Sequence, residues 1–65
     1  MPPGPAKPEI YVEFVQQGAV VKVTAIDSAT GTEASIVGPI NGPREALAKA
    51  AANKLAYVLK KQRGE

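Results

Sequence analysis

Three runs of alternating apolar and polar residues, each closed by a glycine, precede one alanine-rich segment, and that order leaves few folds open to 65 residues. Strict alternation sends successive side chains to opposite faces of a strand, whereas the last segment repeats at helical period. The order predicts an α+β domain of βββα type: a three-stranded antiparallel meander followed by one C-terminal helix packed on one sheet face.

In the first run, Glu9 to Gln16, the residues Ile10, Val12 and Phe14 share one face, and Tyr11, Glu13 and Val15 share the other. In the second, Ala19 to Ile26, Val21, Val23 and Ala25 oppose Val20, Lys22, Thr24 and Ile26. Reading Gln17-Gly18 as a two-residue hairpin loop pairs Phe14 with Val21, Val12 with Val23, Ile10 with Ala25 and Glu13 with Lys22. The third run, Thr32 to Gly38, follows a turn in which Asp27 caps and Gly31 supplies a left-handed position. Setting Ala25 opposite Ala34 pairs Val23 with Ile36 and Val21 with Gly38, whose missing side chain leaves room for a ring or a helix residue.

Gly42 reads as the helix N-cap and Pro43 as its first residue, with Glu45 at the third position. The helix should run to Gln62 or Arg63 and stop at Gly64. Leu47, Ala51, Leu55, Val58 and Leu59 fall in one stripe that should cover the apolar sheet face, with Lys49, Asn53, Lys60 and Arg63 opposite. Four prolines lie among residues 1–8, a segment expected to form a disordered tail, which leaves 9–63 as a single domain.

A domain this short is marginal, and without cysteine or histidine neither a disulfide nor the usual zinc ligands can staple it. The opening residues lack the apolar stretch of a signal peptide and no run is long enough to cross a bilayer, so a cytoplasmic protein with no membrane contact is expected.

Chemistry is harder to find. Glu9 and Glu33 flank Ile26 in the inferred register, but an open three-stranded surface offers no water-excluded place for general acid and base. Ser28, Thr30 and Ser35 have no basic neighbour that would activate a hydroxyl. The loop from Gly38 to Arg44 opens a helix but has neither the P-loop nor the dinucleotide pattern. The expectation is therefore a protein that is not an enzyme, with no catalytic, metal or cofactor site.

Two surfaces remain. On the sheet face away from the helix, Tyr11, Val15, Val20, Ile26 and Val37 interrupt the polar residues, which suggests a contact surface for a protein partner or for a homodimer, with the outer strand edges as further pairing sites. The other surface is the basic C-terminal half, where residues 41–65 carry six basic against two acidic side chains. Arg44, Lys49, Lys60, Lys61 and Arg63 make weak nucleic-acid binding the alternative.

The segments Glu9-Ile10-Tyr11-Val12-Glu13-Phe14-Val15, Val21-Lys22-Val23-Thr24-Ala25-Ile26-Asp27, Ala29-Thr30-Gly31-Thr32-Glu33, Ser35-Ile36-Val37-Gly38-Pro39 and Lys54-Leu55-Ala56-Tyr57-Val58-Leu59 resemble a group of short uncharacterised proteins of alphaproteobacterial type. That resemblance implies a small bacterial protein and brings no activity with it. Ala48-Lys49-Ala50-Ala51-Ala52-Asn53-Lys54-Leu55, placed after three strands, is also similar to the second half of double-stranded-RNA-binding domains. Here Arg44-Glu45-Ala46 stands where that family presents clustered lysines, and there is no first helix. The leading expectation is a small non-enzymatic protein-interaction module acting through the open sheet face or an edge strand.

Overall fold

The computed structural model describes residues 9–62 and residue 64; the proline-rich segment 1–8 and Arg63 lie outside the described residues. Three strands, β1 (Ile10–Gln17), β2 (Val20–Asp27) and β3 (Glu33–Pro39), precede one helix, α1 (Arg44–Gln62). The strands form one antiparallel sheet in the order β1-β2-β3, so the βββα meander expected from the alternation is the fold.

The β2–β3 register is the expected one, with Ala25 opposite Ala34, Val23 opposite Ile36 and Val21 opposite Gly38. The β1–β2 register is not. Gln17 pairs with Val20, so the hairpin loop is Gly18-Ala19 rather than Gln17-Gly18. Gly18 has φ of 64° and no described non-glycine residue, Ala19 included, has positive φ, which places glycine first in the loop, as a type II′ turn requires. Phe14 therefore faces Val23, Val12 faces Ala25 and Ile10 faces Asp27. Glu13 lies opposite Thr24 instead of Lys22, and the expected cross-strand ion pair does not form. Each residue nevertheless keeps its face, because the register moved by two positions and the side-chain period is two.

The side chains of Asp27 and Thr30 hold the β2–β3 turn, the Thr30 hydroxyl accepting the Thr32 N–H at 3.2 Å. Asp27, only 5% exposed, accepts the Thr30 hydroxyl at 2.8 Å and the Ala29 N–H at 3.4 Å. Backbone bonds from Gly31 N–H to the Asp27 carbonyl (2.8 Å) and from Asp27 N–H to the Thr32 carbonyl (2.9 Å) close it. An aspartate that satisfies the amides ahead of it is the usual reason such a turn is unique.

The helix begins one residue later than expected. Pro43 donates nothing, but its carbonyl accepts the first helical bond from Leu47 N–H at 3.1 Å, which puts Pro43 at the cap position and Arg44 first in the helix. Gly42 closes a turn on the Pro39 carbonyl at 2.9 Å. At the other end Gly64, with φ of 79°, donates to the Lys61 carbonyl at 3.0 Å and stops the helix where the sequence indicates.

The core lies between the helix stripe and the apolar sheet face: Val21, Val23, Ala25, Ala34, Ala51 and Leu55 are buried, with Val12, Phe14, Ile36, Leu47, Val58 and Leu59 packed around them. Alanine at 25, 34 and 51 lets backbone approach backbone, since small side chains on both layers leave nothing to hold them apart. Contacts along the helix fix its direction. Leu47 meets Gly38, Lys54 Nζ donates to the Ser35 carbonyl at 2.7 Å, and the Thr32 hydroxyl lies 3.2 Å from Gln62 Oε1. The helix thus runs antiparallel to β3 and covers β2 and β3, touching β1 mainly where Arg44 stacks on Phe14, 4.5 Å from the ring centroid. Ile10, expected in the core, stays 47% exposed for that reason.

Candidate interaction surface

The sheet face turned away from the helix is built of four cross-strand rows. From one end these are Tyr11–Ile26–Glu33, Glu13–Thr24–Ser35, Val15–Lys22–Val37 and Gln17–Val20–Pro39. All five residues assigned to this face by alternation, Tyr11, Val15, Val20, Ile26 and Val37, stand on it. Four are exposed, Val37 most at 63%, and Ile26 is half-buried.

The register brings Val15 and Val37 to either side of Lys22. An ammonium between two exposed valines keeps its charge in water while its methylene stem lies along apolar surface. Val20 is in the next row, so the apolar side chains gather toward the Gly18 end of the sheet.

Toward the other end the face is polar but already satisfied. Thr24 and Ser35 hydroxyls bond each other at 2.9 Å, and Thr24 is only 9% exposed beneath its larger neighbours. One of the two O–H groups is therefore spent within the sheet. Tyr11, not Glu9, flanks Ile26 opposite Glu33, and Glu9 instead joins Ser28, whose N–H donates to its carbonyl at 3.0 Å and whose hydroxyl accepts its N–H at 3.0 Å. The carboxylate pair considered from the sequence is thus not assembled. Among the described residues no group of three or more acidic side chains is placed to hold a metal ion.

The basic residues of the helix do not converge. Lys49 and Lys60 point the same way but are separated by about 16 Å along the axis, and Lys61 is rotated by roughly 100° from Lys60. Lys61 Nζ sits 5.6 Å from the Tyr57 ring, Arg44 is stacked on Phe14 at the far end of the helix, and Lys54 is tied to β3. Arg63 lies outside the described residues.

Alternation of the antiparallel ladder determines which backbone groups face outward at the two edges. On β3 these belong to Glu33, Ser35, Val37 and Pro39, of which the Ser35 carbonyl is taken by Lys54 and Pro39 has no N–H. On β1 they belong to Ile10, Val12, Phe14 and Gln16, and among the described residues nothing bonds to them. Periodicity assigns faces but not edges, so this difference between the two edges was not visible in the sequence. Tyr57, exposed on the helix, was likewise not singled out.

Among the described residues no helix is long and apolar enough to cross a membrane. No curated protein and no solved structure matches the chain. A family model matches residues 7–62, nearly the whole sequence and all of the sheet and helix. The chain belongs to the family described as a domain of unknown function, DUF6898.

Proposed function

We propose that this domain is a small non-enzymatic protein-interaction module of a bacterial, cytoplasmic protein, which binds a protein partner through the sheet surface the helix leaves bare. The observation that carries this reading is the Val15–Lys22–Val37 row with Val20 beside it. It is an apolar patch with one charge at its centre, next to hydroxyls that are already paired. Three strands and one helix supply little core, and a module of this size gains stability from whatever covers such a patch. Catalysis finds no support in the site, since no proton-transferring group is held beside an orienting partner.

Weak nucleic-acid binding, the alternative, is less well supported. The basic helix residues are spread around and along the helix, and the sheet face offers Lys22 alone against Glu13 and Glu33. The likeness to double-stranded-RNA-binding domains reaches only the order of strands and helix.

The test is affinity capture from a bacterial lysate with wild-type protein and with Val37→Asp. A partner retained by the wild type, lost with Val37→Asp and kept by Lys49→Glu is the expected result. Identical captured sets for wild type and Val37→Asp overturn the proposal. A parallel titration with duplex RNA at low salt should show no binding, and binding that weakens steeply with ionic strength would move the assignment to nucleic acid.

A further inference from the structure

We infer that β1 is a self-complementary edge, and that two copies of this chain join through it into one six-stranded antiparallel sheet with Val12 on the two-fold axis. This deepens the interaction reading above by naming a second copy as the partner at the edge, and it uses a surface distinct from the Val15–Lys22–Val37 row.

The edge is eight residues long, and the outward N–H and C=O groups of Ile10, Val12, Phe14 and Gln16 have no partner among the described residues. The side chains beside them are also incompletely covered. Ile10 is 47% exposed on the helix side, while Tyr11 and Val15 are exposed on the other. An edge with apolar residues on both faces and Glu13 as its single charge is a template for another strand.

Only a few two-fold registers bring outward-facing residues opposite one another. Centring the axis on Glu13 sets that carboxylate against its own copy, which is destabilising on a shared face. Centring it on Phe14 sets Val12 against polar Gln16. Centring it on Val12 pairs Val12 with Val12 and Ile10 with Phe14 of the second copy, an entirely apolar row on the helix side. In the same register Tyr11 stands opposite Glu13, which places a phenol beside a carboxylate instead of two like charges. This is the arrangement that both chain chemistry and symmetry favour.

The two helices would then lie on the same side of the joined sheet. Because α1 covers β2 and β3 and reaches β1 mainly at Phe14, it leaves the neighbourhood of Ile10 open for the second copy's Phe14. The incomplete cover over β1 is thereby completed by the symmetric neighbour.

Sedimentation equilibrium over a wide concentration range, combined with isotope-filtered NMR on a mixture of labelled and unlabelled protein, tests this directly. The expected result is a monomer–dimer equilibrium with an interchain Hα–Hα contact between Tyr11 and Glu13, a non-hydrogen-bonded pair of close Cα spacing. Val12→Pro, which removes an outward-facing N–H without touching the β1–β2 ladder bonds, should abolish the dimer while Val23 and Ile36 amides keep their exchange protection. A strict monomer at millimolar concentration overturns the inference, as does a dimer whose interchain contacts lie at Val15 and Val37. A dimer retained by folded Val12→Pro would also overturn it. If Val12→Pro does not fold, the wild-type interchain contact alone decides. A monomer that still captures a partner lost with Val37→Asp leaves the interaction reading standing without this one, whereas a β1 dimer with no such partner does the reverse.

Discussion

Leu47 occupies the space that Gly38 leaves empty: its Cδ2 lies 2.5 Å from where a β-carbon on Gly38 would stand. The first turn of the helix is seated on β3 by that absence. Gly38→Val should force Leu47 out of its place and cost roughly 1–3 kcal/mol, with Gly38→Ala at the lower end. Urea denaturation monitored by circular dichroism measures both, and a Gly38→Val protein as stable as wild type would show that Leu47 moves freely.

Gly18 makes the opposite case, because nothing stands within 4 Å of a β-carbon there and its φ is 64°. Gly18→Ala should cost about 1–2 kcal/mol through backbone strain alone. D-alanine at the same position in a synthetic chain should be neutral or stabilising, since it accepts positive φ. An L-alanine variant with unchanged stability would indicate that the hairpin turns elsewhere.

Leu55, at 1% exposure, and Val23 are the largest fully buried side chains. Leu55→Ala should cost about 2–5 kcal/mol. A chain of this length holds only about 3–10 kcal/mol in total. Thermal melts should therefore show a variant close to unfolding at 37 °C, and a small loss would place the core elsewhere.

The two faces of the sheet can be told apart by one substitution made twice. Val37→Thr on the bare face should change stability by less than about 0.5 kcal/mol. Val23→Thr, beneath the helix, buries a hydroxyl without a partner and should cost about 1–3 kcal/mol. Equal effects at the two positions would contradict the sidedness of the sheet.

Asp27 and Thr30 form a pair that a double-mutant cycle can isolate. Asp27→Ala should cost about 1.5–3 kcal/mol, as expected for a hydrogen bond to a charged group. Thr30→Val should cost less once Asp27 has gone, because the 2.8 Å bond between them is then already lost and only the contacts of Thr30 with Thr32 remain to be removed. Strict additivity would mean that the two side chains act separately.

The faces of all three strands, the β2–β3 register and the helix stripe could be read from the sequence because each follows from a period. The β1–β2 register could not, since Gly18 serves a tight loop as either its first or its second residue. Both choices leave Val12 and Phe14 against apolar neighbours. The Glu13–Lys22 pairing favoured the wrong choice, and on an exposed face an ion pair contributes too little to set a register against turn geometry. Among the candidate site residues, the bare-face set stands where alternation put it. The basic set does not converge, because composition reports charge and not its placement. The path of the helix along β3, which leaves Ile10 exposed and occupies the Ser35 carbonyl with Lys54, depends on tertiary packing that no local pattern encodes.

The hold of Lys54 on the Ser35 carbonyl, together with Pro39 further along the same strand, leaves the outer edge of β3 a less complete ladder than that of β1. A strand that approached β3 would meet gaps in its ladder at Ser35 and Pro39, whereas one that approached β1 would meet none among the described residues. Replacing the amine, as in Lys54→Met, would return the Ser35 acceptor to that edge and leave Pro39 as its one permanent gap.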